Sequence, residues 1–137
     1  MRIRRGYVWV ALLVGLSGCT RTAAPIADTG SRSAVQKYCD AVVRCDWKKA
    51  YATLHSDSTA KWSAEQFRLA AEGYRRKFGF VPETVHIRSC EEHDTQAIAH
   101  VNFKGHSTTK HQLYTDGLVL RHTAEGWRVI LPHNFGK

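Results

Sequence analysis

Acidic residues are scarce in this 137-residue chain: 12 Asp and Glu stand against 20 Lys and Arg, a formal net charge of +8. That excess alone would suit nucleic acid, anionic lipid or an anionic glycan. Yet no basic run is interleaved with aromatics beyond Arg75-Arg76-Lys77, which argues against the first. Long apolar runs are missing too. The stretch Tyr7–Leu16 is about ten residues, short of the roughly 17–25 that carry a helix across a bilayer. Four cysteines occur with no Cys-x-x-Cys spacing, so a Cys-Cys-His metal site has no support and no metal is expected. Ser107-Thr108-Thr109 lacks the strand–turn–helix setting of a nucleophile elbow. No pattern asks for a cofactor.

What is present begins at the first residue. Arg2, Arg4 and Arg5 precede any acid, as in the positive n-region of a secretion signal. The short apolar run that follows fits the h-region length of about 7–15 residues. Leu16-Ser17-Gly18-Cys19 then resembles the lipobox of bacterial lipoproteins. Small residues at 17 and 18 admit the backbone to a peptidase site, and the Cys19 thiol can take a diacylglycerol. The resemblance implies that residues 1–18 are a signal peptide and that Cys19 becomes the lipidated first residue of a tether over 19–32. Each buried acyl methylene adds about 0.8 kcal/mol of membrane affinity, so two or three chains hold where one would not. The implied address is the cell membrane or outer membrane, with the domain facing the periplasm or exterior. Thr20, where Asp would resemble an inner-membrane retention signal, leans toward the outer membrane.

Export changes the reading of charge and sulfur. Losing Arg2, Arg4 and Arg5 leaves 17 basic residues against 12 acidic, a net +5. On an exported domain this reads as a solvated basic surface beside anionic head groups, and no nucleic acid is expected. With Cys19 lipidated, Cys39, Cys45 and Cys90 remain, an odd number. On one helix Cys39 and Cys45 would lie roughly 9 Å apart along the axis, beyond the reach of about 7 Å between α-carbons. Either could pair with Cys90 and clamp a helix to a sheet.

Residues 20–32 are rich in Thr, Ala, Ser and Gly, and read as a flexible tether. The domain is expected over 33–137. Ser33 and Gln36 have capping-box spacing, and Val35, Tyr38, Cys39 and Val42 form one helical stripe. Asp46 reads as the N-cap of a second helix burying Trp47, Ala50, Tyr51 and Leu54. His55–Thr59 reads as a loop. Ser63 and Gln66 box a third helix, with Trp62 placed to staple onto Phe67. Phe67, Ala70, Ala71, Tyr74 and Phe78 mark its face, Arg75–Lys77 suit its C-terminal dipole, and Gly79 ends it.

The period then changes to two. Strands are expected over Thr84–Cys90, Gln96–Lys104, His111–His122 and Trp127–Leu131, with a polar turn at Glu91–Thr95 and a loop at Gly105–Lys110. Gly117 suggests a bulge or bend. Helices followed by an antiparallel sheet make an α+β fold. Asp46–Leu54, the Ser63–Gly79 helix and Gly126-Trp127-Arg128-Val129-Ile130 together resemble the nuclear-transport-factor-2-like superfamily, which includes ketosteroid isomerase and scytalone dehydratase. The resemblance covers roughly Ser33–Leu131 and is closest to small exported lipoproteins of that superfamily. It implies three helices on a curved sheet of about four strands, with a pocket between them. Such folds host enzymes, binding modules and assembly domains alike.

Pocket candidates are Tyr38, Trp47, Tyr51, Phe67, Tyr74, Tyr114 and Trp127. An isomerase-type reaction needs a carboxylate base and hydroxyl donors. Asp116 is the best placed, since it shares strand parity with Tyr114, Leu118 and Leu120; Asp40 is the other carboxylate. No family catalytic motif transfers, so the expected function is a non-catalytic module for a small apolar ligand or an envelope partner. The alternative is an isomerase or dehydratase using Asp116 or Asp40. His86 and His100 fall on one strand face with Arg88, Asn102 and Lys104, a wet face that disfavours, without excluding, a homodimer through it. His93, His106 and His111 fall in or next to loops.

Overall fold

The computed structural model describes residues 28–105 and 112–137. The expected signal peptide, Cys19 and most of the tether lie outside the described residues, as do His106, Ser107-Thr108-Thr109 and His111. Among the described residues four helices precede a sheet: α1 Ser31–Val43, α2 Trp47–Ala52, α3 Ser56–Thr59 and α4 Ala64–Arg76. The strands are β1 Thr84–His93, β2 Gln96–Gly105, β3 Gln112–Thr123 and β4 Gly126–Ile130. They form one antiparallel meander in the order β1-β2-β3-β4.

Parity in β2 fixes which face is inside. Ala97, Ala99, Val101 and Phe103 are fully buried, whereas Gln96, Ile98, His100 and Lys104 are exposed. Their β3 partners carry the same two faces: Leu120, Leu118, Asp116 and Tyr114 inward, Arg121, Val119, Gly117 and Leu113 outward. The helices cover the inner face. α1 packs on β1 and β4 and beside α2, and α2 packs on α4. The stripe Val35, Tyr38, Cys39 and Val42 is wholly buried, which is why α1 lies where it does.

Local signals account for most element ends. Asp46 caps α2 by accepting from the Lys49 amide, and Ser63 and Gln66 form both halves of the capping box on α4. Trp62 ahead of that cap is half-buried against the core. Gly79, at φ +71°, follows α4 in the left-handed region that glycine adopts without strain.

Several expectations are corrected. α1 begins at Ser31, not Ser33, and the Ser33–Gln36 box does not form. Its N-cap, Gly30, has no side chain to offer; instead Glu92 of β1 reaches over. Glu92 accepts from the Thr29 amide and hydroxyl, each at 2.9 Å, and from the Ser31 amide at 3.3 Å. A carboxylate from 61 residues away in sequence thus does the work of a local cap. Gln36 donates to Asp40 instead. His55–Thr59 is not a loop but a single helical turn, with His55 Nδ1 accepting from the Asp57 amide.

The sheet differs in two places. β1 runs on to His93, so that the turn shrinks to Asp94-Thr95, with Asp94 at φ +53°. Gly117 makes no bulge: β2–β3 pairing passes it without a slip, opposite His100. The irregularity falls in β1, between Ile87 and Ser89, and there Arg32 donates to the Ile87 carbonyl. At the other edge, β4 is covered by the α2–α3 connection. The Val129 amide donates to the Thr53 carbonyl and the His55 amide to the Val129 carbonyl.

No disulfide joins the three cysteines. Cys39 is buried, Cys45 exposed, and Cys90 Sγ lies 3.1 Å from Ser31 Oγ, a contact that links α1 to β1 without a cystine.

Candidate functional site

The inner face of β3 meets α1 and α4 at a cavity of about 140 Å³. Its walls include Tyr38 of α1, Tyr74 of α4, Tyr114 and Asp116 of β3, and Leu131 and Phe135. Helical spacing puts Tyr38 on the buried stripe of α1 and Tyr74 on that of α4. Strand alternation puts Tyr114 and Asp116 on the inner face, opposite Phe103 and Val101. Asp116 is thus the one acid in a row otherwise made of Leu118, Leu120 and Tyr114.

Its hydrogen bonds are specific. The Tyr74 hydroxyl donates to Asp116 Oδ2 at 2.6 Å, the length of a charge-assisted bond. The Gly117 amide donates to Oδ1 at 2.8 Å. Tyr38 is fully buried, and its hydroxyl has no partner among the described residues. Burial pushes the Tyr38 and Tyr74 hydroxyls well above the usual tyrosine range, and the Asp116 charge pushes both further. Tyr114 is raised for the same two reasons. All three therefore stay protonated as hydrogen-bond donors at neutral pH. Burial likewise raises the Cys39 thiol, next to Tyr38, leaving it inert as a nucleophile.

The floor of the site comes from a segment with no strand or helix of its own. Past β4, Pro132–Gly136 turns back under α4, and Phe135 is 5 % exposed. The Phe135 ring stacks on Phe67 at 5.8 Å and lies 5.1 Å from Tyr74. Gly136 packs so tightly on Ala70 that a β-carbon there would sit 2.4 Å from the Ala70 carbonyl oxygen. Sequence reasoning stopped at Leu131 and missed this plug. The available signal was a lone aromatic, Phe135, in an otherwise polar tail.

Of the seven pocket candidates, Tyr38, Tyr74 and Tyr114 line the cavity together with Asp116. Phe67 lies behind it, fully buried between Tyr51 and Phe135. Tyr51 donates its hydroxyl to the Trp62 carbonyl. Trp47 lines a separate groove with Cys45, Glu72 and Arg75. Trp127 sits toward the start of α1, donating to the Thr29 hydroxyl at 2.8 Å and meeting His122 edge-on. Asp40 is on α1 outside the cavity lining and accepts from Gln36. His86, His93 and His100 are exposed. His86 and His100 share the outer face with Asn102 and Lys104, and His93 Nε2 lies 3.9 Å from Glu91.

Helices covering one face of a four-stranded antiparallel meander define a nuclear-transport-factor-2-like fold. Among solved structures the chain is similar to a Campylobacter jejuni protein described as an NTF2-like transpeptidase. The TM-score is 0.58 at 11 % identity, covering 74 % of this chain and 97 % of that one. Likeness at that identity carries the fold and leaves activity open. No protein-family model matches the chain, and no curated protein matches it.

Proposed function

We propose that this chain is an exported bacterial lipoprotein, fixed to a membrane through Cys19, whose domain binds a small ligand or an envelope partner without transforming it. The address rests on Leu16-Ser17-Gly18-Cys19 after a short basic and apolar leader. The binding role rests on one observation above all: the space between helices and sheet is only about 140 Å³, with Phe135 filling its floor. Pockets for drug-sized ligands run from about 300 Å³ upward. An engineered apolar cavity of about 150 Å³ holds benzene, which sets the scale of a guest here.

The isomerase or dehydratase reading draws on the same residues. Asp116 beside the Tyr74 hydroxyl supplies a carboxylate and a donor in one cavity. Against it, the guest that fits is small.

Fractionation tests the address. Cys19→Ser is expected to abolish acyl labelling in the native host and to release or mislocalise the protein. Labelling that persists in the variant refutes the anchor. Native mass spectrometry of the purified protein tests the binding role: a retained guest of low mass supports it, and turnover of any such guest would replace it with the enzyme reading.

A further inference from the structure

We propose that the Tyr38–Asp116 cavity is a site for a small organic ammonium ion. This inference deepens the binding role proposed above and rests on it.

Two features of the cavity converge on that chemistry. The first is charge. Asp116 is a half-buried carboxylate, and among the described residues no Lys, Arg or His lies within ion-pair distance of it. Its two hydrogen bonds leave a lone pair free on each oxygen. Lys77 also borders the space, but it is exposed and donates to the Lys137 carbonyl. The second is the wall. Tyr38, Tyr74, Tyr114 and Phe135 line the same space, and electron-rich rings around a cation are the common way proteins recognise alkylammonium groups. The Tyr38 hydroxyl stands behind this wall: it is fully buried, so the guest meets the outer carboxylate and rings.

Size then narrows the class. A space of about 140 Å³ takes a guest of benzene's order. Ethanolamine and choline are of that order; a steroid or an acyl chain is not. An ammonium N–H or N–CH₃ group set against Asp116 also leaves its substituents among the lining aromatic residues. A neutral guest of equal shape would forgo the attraction of the carboxylate and the rings, and an anion would be repelled by Asp116.

The test uses the full chain in detergent, with choline, ethanolamine and the neutral isostere of choline in which carbon replaces nitrogen. Saturation-transfer NMR and calorimetry read binding. Choline or ethanolamine is expected to bind at least about tenfold more tightly than the isostere. Asp116→Asn is expected to remove most of that preference. Tyr114→Leu, which removes a half-buried lining ring, should weaken choline more than the isostere, and it gives a readout if Asp116→Asn fails to fold. Equal binding of choline and isostere overturns the ammonium claim while leaving a binding role intact. Failure of all three probes to bind overturns the claim and removes this cavity from the proposed function. Where an ammonium binds, displacement by phosphatidylethanolamine vesicles marks a lipid head group as the source, and no displacement marks a free amine.

Discussion

Replacing Tyr38 by phenylalanine deletes one oxygen atom from the middle of the fold. That oxygen is fully buried and unpartnered among the described residues. A buried polar atom left unsatisfied costs about 1–3 kcal/mol, and a same-shaped apolar group escapes that cost. The void left by one oxygen is roughly 10 Å³, which at about 24 cal/mol per Å³ takes back only about 0.2 kcal/mol. Net stabilisation of about 0.8–2.8 kcal/mol is therefore expected in the ligand-free protein. Urea denaturation should show a higher midpoint at an unchanged slope. Thermal unfolding should shift upward by roughly 4 °C or more per kcal/mol for a domain of this size. A loss of more than about 0.5 kcal/mol would refute the reasoning, because it would mean that the hydroxyl is well bonded in solution.

Phe135→Ala is expected to destabilise by about 3–5 kcal/mol, as loss of a buried aromatic does, and to enlarge the cavity; uptake of a larger apolar dye such as ANS, absent in the parent, checks the second effect. Ser63→Ala removes half of the α4 capping box and should cost about 1 kcal/mol in denaturant midpoint, whereas Ser33→Ala, at the box that does not form, should change it little. Alkaline titration has a definite sign. Tyr38 and Tyr74 hold their protons in the folded state above the value of about 10 at which unfolded tyrosines release theirs, so stability is unaffected below about pH 10 and falls as pH rises past it. Phenolate absorbance from these two should appear only together with loss of circular dichroism; earlier ionisation in the folded state would contradict their burial.

The sheet was legible because alternation in Gln96–Lys104 is strict, and a strand with one buried face must show its period in the sequence. The α4 capping box was legible because both partners lie within four residues. At the start of α1 and at the β1 irregularity, the deciding partner was distant. The α1 start depends on Glu92, whose role emerges only when β1 is folded against α1. The bulge fell beside Arg88 and not at Gly117, since register is set between strands and not within one. Parity brought Asp116 to the inner face and helical spacing brought Tyr38 and Tyr74, so the elements of the site were in view. Their convergence, and the C-terminal segment that lines it, came from tertiary packing. Pro132 ended the last strand, but nothing local announced that Phe135 returns to the core.

The slipped register of β1 has a consequence for crowded molecules. An outermost strand with an even row of free amides and carbonyls invites a neighbour to extend the ladder. Here that border is broken near its middle, and the Arg32 guanidinium occupies the Ile87 carbonyl. Copies packed side by side therefore meet a blunted rim instead of a template.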